Sequence, residues 1–406
     1  MRGPAHNGES VTRRGVVAGL GLGACALLAA ACGAGTQSGA QPASGAGQTG
    51  QAAVKPTGKA TYLFHIGVGP EYEQYQEVAK RFNARGTGEI EIAISEGQGY
   101  LVKLQSQIAG GDAPEATFMA AFNMPEWAER GALEPLDARV ARDKFDLKKF
   151  FDASVALGRA RVQGAEHLYA LPRHPSPAVL FYNKSRFEAR GLKAPDATWT
   201  WDTFLDTAKK LTQGDDYGVI APYHPFYLHP FVRSWGAEIL DKDLKKFQLD
   251  QSPGPEAVQW VADLAVRQNA AMPFNKLASN NDRQPWYQGK IGMVMDIYPN
   301  VANTDTNAKG AFQYDVVLLP KGPKGRVNRN VAGTYVLLKG AKNPEVGWEW
   351  LKYLTSKETM TYLSTTIFPA QREAAQAPEF LNPPSAATKI NRKAFVDALE
   401  QDTSLP

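Results

Sequence analysis

The chain has almost no cysteine. Among 406 residues only Cys25 and Cys32 carry a thiol, and both lie close to the amino terminus. The remainder therefore has no disulfide and no thiolate chemistry. Long apolar runs are scarce as well. Past residue 35 none approaches the roughly 18–20 residues that a bilayer-spanning helix needs. Neither sign of charge dominates. The net charge is +4, and Arg2, Arg13 and Arg14 against Glu9 supply half of it before Cys32. The body that follows is nearly neutral and has no basic stripe, which excludes a nucleic-acid partner. Catalytic signatures are missing too: there is no G-x-S-x-G elbow, no H-E-x-x-H and no P-loop. "GLGLGA" imitates a dinucleotide loop but belongs to the apolar run near the amino terminus.

That run is the first thing present. Gly15–Ala31 carries no charge and follows Arg13 and Arg14. A basic stretch, an apolar stretch and then small residues is the layout of a secretory signal. A retained membrane helix is the competing reading, and the glycine content and short length weigh against it. "LLAAAC" resembles a bacterial lipobox with Cys32 as the lipidated residue, although Ala29 stands where leucine is usual. "LGAC" at Cys25 fits the short motif but leaves little apolar sequence after Arg14. "TRRGVV" resembles a twin-arginine export signal, and paired arginines also suit general export. From Gly33 to Gly58 the chain is mostly Gly, Ala, Ser, Gln and Thr, a composition that cannot bury enough surface to order itself. It reads as a tether. The expectation is a signal peptide over 1–31, a lipidated Cys32 with a flexible segment to 57, and a body anchored to a membrane rather than spanning it.

The chain is long for one core, and its 43% hydrophobic and 21% charged content is that of a globular protein. Thr61–Ile66 predicts a strand. Gly69-Pro70 opens a helix with Glu71 and Glu73 in its first turn and Tyr72, Tyr75, Ala79 and Phe82 as its apolar stripe. "EIEIAIS" alternates as a strand, and Leu101, Leu104 and Ile108 mark a helix ending at Gly110-Gly111. "ATFMAAF" is a third strand. Strand–helix alternation of this kind predicts a mainly parallel sheet covered by helices. Further on, Thr200 caps a helix with Phe204, Ala208 and Leu211 on one face, "PEAVQWVADLAVRQ" is amphipathic, "YDVVLLP" and "YVLLKG" are strands, and Asn343-Pro344 opens a helix. No internal repeat appears.

Seven segments in order carry a resemblance. They are "IAGGDAPEATFM", "LYALPRHPSPAVLFYNKSRFEARGL", "APDATWTWDTFLDTAKKLT", "WGAEILDKDLKKFQLDQSPGPEAVQWVADL", "WYQGKIGMVMD", "VAGTYVLLKGAKNPEVGWEWLKYL" and "FPAQREAA". Together they resemble the extracellular solute-binding protein family 1, the lipoproteins that feed sugars to ABC importers. Glu115-Ala116 replaces the family's usual Asp-Val. The resemblance implies an α/β fold of the type II periplasmic-binding kind: a two-lobed clamshell, each lobe a mainly parallel sheet flanked by helices. It places crossings near Pro172–Pro177, Asn328–Val331 and Thr366. The first lobe would then take 58–173 with 332–365, and the second 174–331 with 366–406. The family usually continues for a few tens of residues beyond this point.

Candidate ligand-binding residues follow from two rules and, for Trp235, Tyr298, Gly333 and Thr334, from the positions at which the resembled family presents cleft residues. Sugars stack apolar faces on aromatic rings, and open α/β sheets place ligands at strand carboxyl ends. His65 ends the first strand, and Phe122 and Asn123 follow the third. Arg173 precedes the first crossing, and Asp296 ends "GMVMD" with Tyr298 just after it. Tyr223 and His224 lie in "YHPFYLHP". Trp235 precedes Gly236. By the resemblance Gly333 and Thr334 would sit in a turn facing the cleft, with Tyr335 opening the strand after it, and Arg372 follows "FPAQ". Core packing competes for each aromatic, including Trp127, Trp199 and Trp286, and a structural ion pair competes for Arg173 and Arg372. Trp201, Trp286, Trp348 and Trp350 sit in or beside helix patterns and are read as packing. Pro225 and Pro230 argue for a loop around His224 and His229 and against a metal site there. No catalytic residue, metal or cofactor is expected. The resemblance implies a monomer that captures a mono- or oligosaccharide and delivers it to ABC permease subunits. A charged small solute such as a phosphorylated compound, polyamine or peptide, or an exported carbohydrate-active enzyme, are the alternatives.

Overall fold

The computed structural model describes residues 56–400 apart from 67, 96, 242–244, 278–282 and 385–386. The signal segment, Cys32 and nearly all of the tether lie outside these residues. The first sheet has the order β2 (Glu89–Ile94), β1 (Lys59–Phe64), β3 (Ala116–Ala120), β11 (Gly333–Leu337) and β6 (Ala170–His174). A small hairpin, β4 (Arg159–Val162) with β5 (Ala165–Leu168), precedes β6. The second sheet has the order β10 (Tyr314–Val317), β7 (Val179–Asn183), β9 (Ile291–Asp296) and β8 (Tyr217–Val219).

Both sheets are mixed rather than mainly parallel. β1 pairs parallel with β2 and β3, but β11 is antiparallel to β3 and to β6. In the second sheet only β8 and β9 run parallel. The reason is the crossings. β1, β3 and β6 run toward the junction between lobes, so β11, which comes back from the junction, must run the other way. β7 enters the second lobe from the junction and opposes β9 and β10 for the same reason.

Successive residues on the central strands serve opposite faces, so helices cover both. In the first lobe Tyr62 and Phe64 pack with Tyr75, Phe82, Tyr335, Trp348 and Trp350. Leu63 and Met119 pack the other way, with Leu104, Trp127 and Val336. In the second lobe Phe181 and Val294 meet Trp286, Tyr314 and Phe395, while Leu180 and Met293 meet Trp201, Phe204 and Phe231. The helix over Trp201–Leu211 starts where Thr200 accepts a hydrogen bond from Thr203 N. Asn343 occupies the cap position of the Pro344–Leu354 helix, but its side-chain amide donates to Lys59 O instead.

One element differs from the sequence reading. Pro225–Ser234 is a helix, not a loop. Pro225 is harmless at the first helical position, and His224 Nδ1 caps the end by accepting from Phe226 N. Pro230 removes only one helical donor. No helix among the described residues is long and apolar enough to cross a membrane.

Two of the crossing segments form one ladder. Pro177 bridges Asn330. Asn330 Oδ1 accepts from Ser176 N at 2.7 Å, and the Asn328 amide both accepts from Ala178 N and donates to Ala178 O. These side chains replace backbone partners where no regular strand pair continues.

Candidate functional site

The first lobe presents the ends of β1, β3 and β6 beside the start of β11. Here three rings stack. His65 lies parallel on Phe118 with centroids 3.6 Å apart, and His174 lies on the side of Phe118 at 6.1 Å, tilted only 8°. Gly333 makes room for them: a Cβ there would overlap His174 Cε1 and come within 2.6 Å of Phe118 Cε2. Behind the stack Arg173 is 2% exposed. It donates to Tyr75 OH at 3.0 Å, pairs with Glu71 and donates to His174 Nδ1. Glu71 sits in the first turn of the Pro70–Asn83 helix, where the helix dipole favours a carboxylate.

That arrangement fixes the chemistry of the histidines. Burial and then the Arg173 charge lower the His65 pKa to about 2, and burial with the same charge holds His174 well below the usual range. Both rings are neutral. Because Arg173 donates to His174 Nδ1, the remaining proton of His174 is on Nε2, which makes Nε2–H a donor. His65 Nδ1 is buried with no hydrogen-bond partner among the described residues. Phe122, 70% exposed, stands at the same sheet end, and Asn123 is half-buried beside it.

The second lobe presents the ends of β8 and β9. Tyr223 follows β8 and packs edge-on against Phe274, which is 69% exposed. The Pro225–Ser234 helix then brings Phe226, Tyr227 and His229 to the junction. Asp296, at the end of β9, is buried. It accepts from Tyr227 OH at 2.8 Å, from Ile297 N and from the Asn300 amide, and pairs with Arg283 at 2.7 Å.

The structure separates the expected residues into two groups. His65, Phe122, Asn123 and Gly333 gather at the first sheet's end, and Tyr223 and His224 at the second's. The others serve the fold. Arg173 and Asp296 are buried and held by protein partners. Thr334 is buried and donates to Met119 O, and Tyr335 is buried with its hydroxyl against that of Tyr75. Tyr298 is core: it packs on Phe368, Phe380 and Phe395 and accepts from Arg392 at 2.8 Å. Arg372 donates to Phe150 O and reaches Asp152, pinning a loop. Trp235 stands at the carboxyl end of its ten-residue helix, about 15 Å from the end that meets the junction. Its ring packs toward Phe231 and Trp260.

Sequence reasoning did not single out Phe118, His174, Phe226, Tyr227 or Arg329, and it placed His229 with His224 in a loop in or beside the cleft. Phe118 reads as one more apolar strand residue. His174 had a signal: it directly precedes Pro175 at the expected crossing.

Two lobes joined by crossing strands, with aromatic faces at both sheet ends, are the architecture of a two-lobed α/β binding protein. A family model described as bacterial extracellular solute-binding protein matches residues 67–361. The chain belongs to that family, which is one of extracytoplasmic binding proteins rather than enzymes. A Brucella abortus protein described only as a binding protein is 26% identical over 321 residues, 76% of this chain and 75% of its own. The maltotriose-binding protein of Pyrococcus abyssi is 22% identical over 338 residues, 77% of this chain and 67% of its own. The ABC substrate-binding protein of Listeria monocytogenes solved with cycloalternan superposes with a TM-score of 0.72 at 22% identity, over 86% of this chain and 88% of that one.

Proposed function

We propose that this chain captures a carbohydrate between its lobes and hands it to the transmembrane subunits of an ABC importer. The observation that carries the reading is the pairing of exposed aromatic faces with neutral imidazoles at the two sheet ends. Phe122 on one lobe and Tyr223, Phe226 and Phe274 on the other suit the C–H faces of a sugar. His174 Nε2–H and Asn123 suit its hydroxyls. Relatives named for maltotriose and solved with cycloalternan support a sugar. The moving bodies are 58–173 with 332–365 and 174–331 with 366–406, and closure follows from the solute's greater affinity for the closed state. The chain works as a monomer, held to the membrane by lipid on Cys32.

A thermal-shift screen of the full chain tests this. Mono- and oligosaccharides would be set against amino acids, peptides and polyamines. A sugar at about 100 times its Kd adds about 2.7 kcal/mol. A shift confined to one sugar series supports the reading, and a shift with amino acids or polyamines alone refutes it. For the anchor, replacing Cys32 by alanine should release the protein from the membrane fraction.

A further inference from the structure

Arg329 lies in the returning crossing segment, next to Asn330, which bridges Pro177. Its guanidinium carbon sits 5.3 Å from the centre of the Phe226 ring. Phe226 and His229 are three residues apart on one helix and share a face. The Arg329 charge reaches His229, whose pKa burial, Arg329 and Arg233 together lower to about 4. His229 Nδ1 is buried without a hydrogen-bond partner among the described residues.

Other arginines nearby differ. Arg173 is matched by Glu71, Arg233 by Glu238 and Arg283 by Asp296. Arg329 pairs with no carboxylate and its side chain donates to no carbonyl among the described residues, and it is half-buried. Burial alone displaces its pKa, downward. A partly desolvated cation without a counter-charge is unfavourable by itself, and an oxyanion that meets it removes the penalty. Its planar fork matches carboxylate or phosphate with two parallel hydrogen bonds.

The ladder also sets the distance. His174 pairs with Gly333, and Ala178 is held by Asn328. Four residues of extended chain span about 13 Å. Arg329 on the second lobe and the His65–Phe118–His174 stack on the first therefore flank the same short stretch of crossing strand.

We propose that Arg329 is the anion-recognising side chain of the cleft and that the solute is an acidic carbohydrate, with a carboxylate or phosphate on the sugar. The aromatic faces hold the ring, and Arg329 with the neutral His229 beside it takes the oxyanion. This inference rests on the carbohydrate reading above.

Calorimetric titration of the full chain with matched pairs tests it: galacturonate against galactose, glucuronate against glucose, and glucose 6-phosphate against glucose. The acidic member of at least one pair should bind about tenfold tighter or more, and which pair does so separates carboxylate from phosphate. Arg329→Gln should erase the preference, and Arg329→Lys should keep part of it. Neither substitution should lower Tm by more than a few degrees, because the Arg329 guanidinium pairs with no protein anion among the described residues and meets only the face of Phe226. Equal or tighter binding of the neutral members, weakened by Arg329→Gln, would overturn the inference and leave the carbohydrate reading standing. Binding of inorganic phosphate or citrate with no sugar of either charge would overturn both. Lowered Tm with unchanged binding would make Arg329 structural and overturn the inference alone.

Discussion

Gly333 is glycine because two rings occupy the space where a side chain would begin. Gly333→Ala should push His174 and Phe118 off their stack, costing about 1–3 kcal/mol of stability and weakening solute binding together. Urea denaturation and a binding titration on the same variant check both. Glu71→Gln is a harsher change. It leaves the Arg173 guanidinium buried with no anionic partner, an uncompensated charge that costs about 3–5 kcal/mol. The urea midpoint should fall at unchanged m.

The histidines give a pH dependence with a definite sign. His229 is a base whose pKa drops from its ordinary 6.5 to about 4 on folding. The unfolded chain therefore binds the proton first on acidification. The stability that neutral His229 contributes is complete above pH 6.5 and is lost as pH falls toward 4. His65 extends the same loss toward pH 2. Relative to the wild type, His229→Gln should gain stability as pH is lowered from 6.5 to 4. Parallel stability curves over that range would contradict the assignment.

At the scale of elements, the crossing ladder depends on two asparagines. Asn328→Ala leaves Ala178 N–H and C=O buried without their partners, at about 1–3 kcal/mol. The same variant should loosen the hinge, seen as faster amide exchange over 174–179. Much of the element order was legible in the sequence. Alternating Ile90, Ile92 and Ile94 gave β2, Gly69-Pro70 gave the start of a helix, and Thr200 gave a cap, because each signal is local. The site was legible only in part. Whether Arg173 is free depends on Glu71, about a hundred residues away, and Asp296 depends on Tyr227 and Arg283. Whether Tyr335 faces core or cleft depends on strand pairing, which one sequence does not reveal. The helix at Pro225 was hidden because two prolines read as breakers, while His224 supplied a cap seldom counted as one.

On the scale of the whole molecule, paired crossing segments join the two sheets, and a solute that touches both lobes should favour closure. A surface hollow of about 290 Å3 lies against β10, bordered by Asp196, Asp315 and Asp397, apart from the residues proposed to hold the sugar. In the proposed reading both lobes hold one carbohydrate at the sheet ends. Hydrogen exchange of the full chain with and without a bound sugar tests it most directly. The account predicts slowed exchange in both lobes at once, over 65–69, 118–123 and 221–229, together with the 328–333 crossing segment. Protection confined to one lobe, or centred on the hollow beside Asp315, would contradict it.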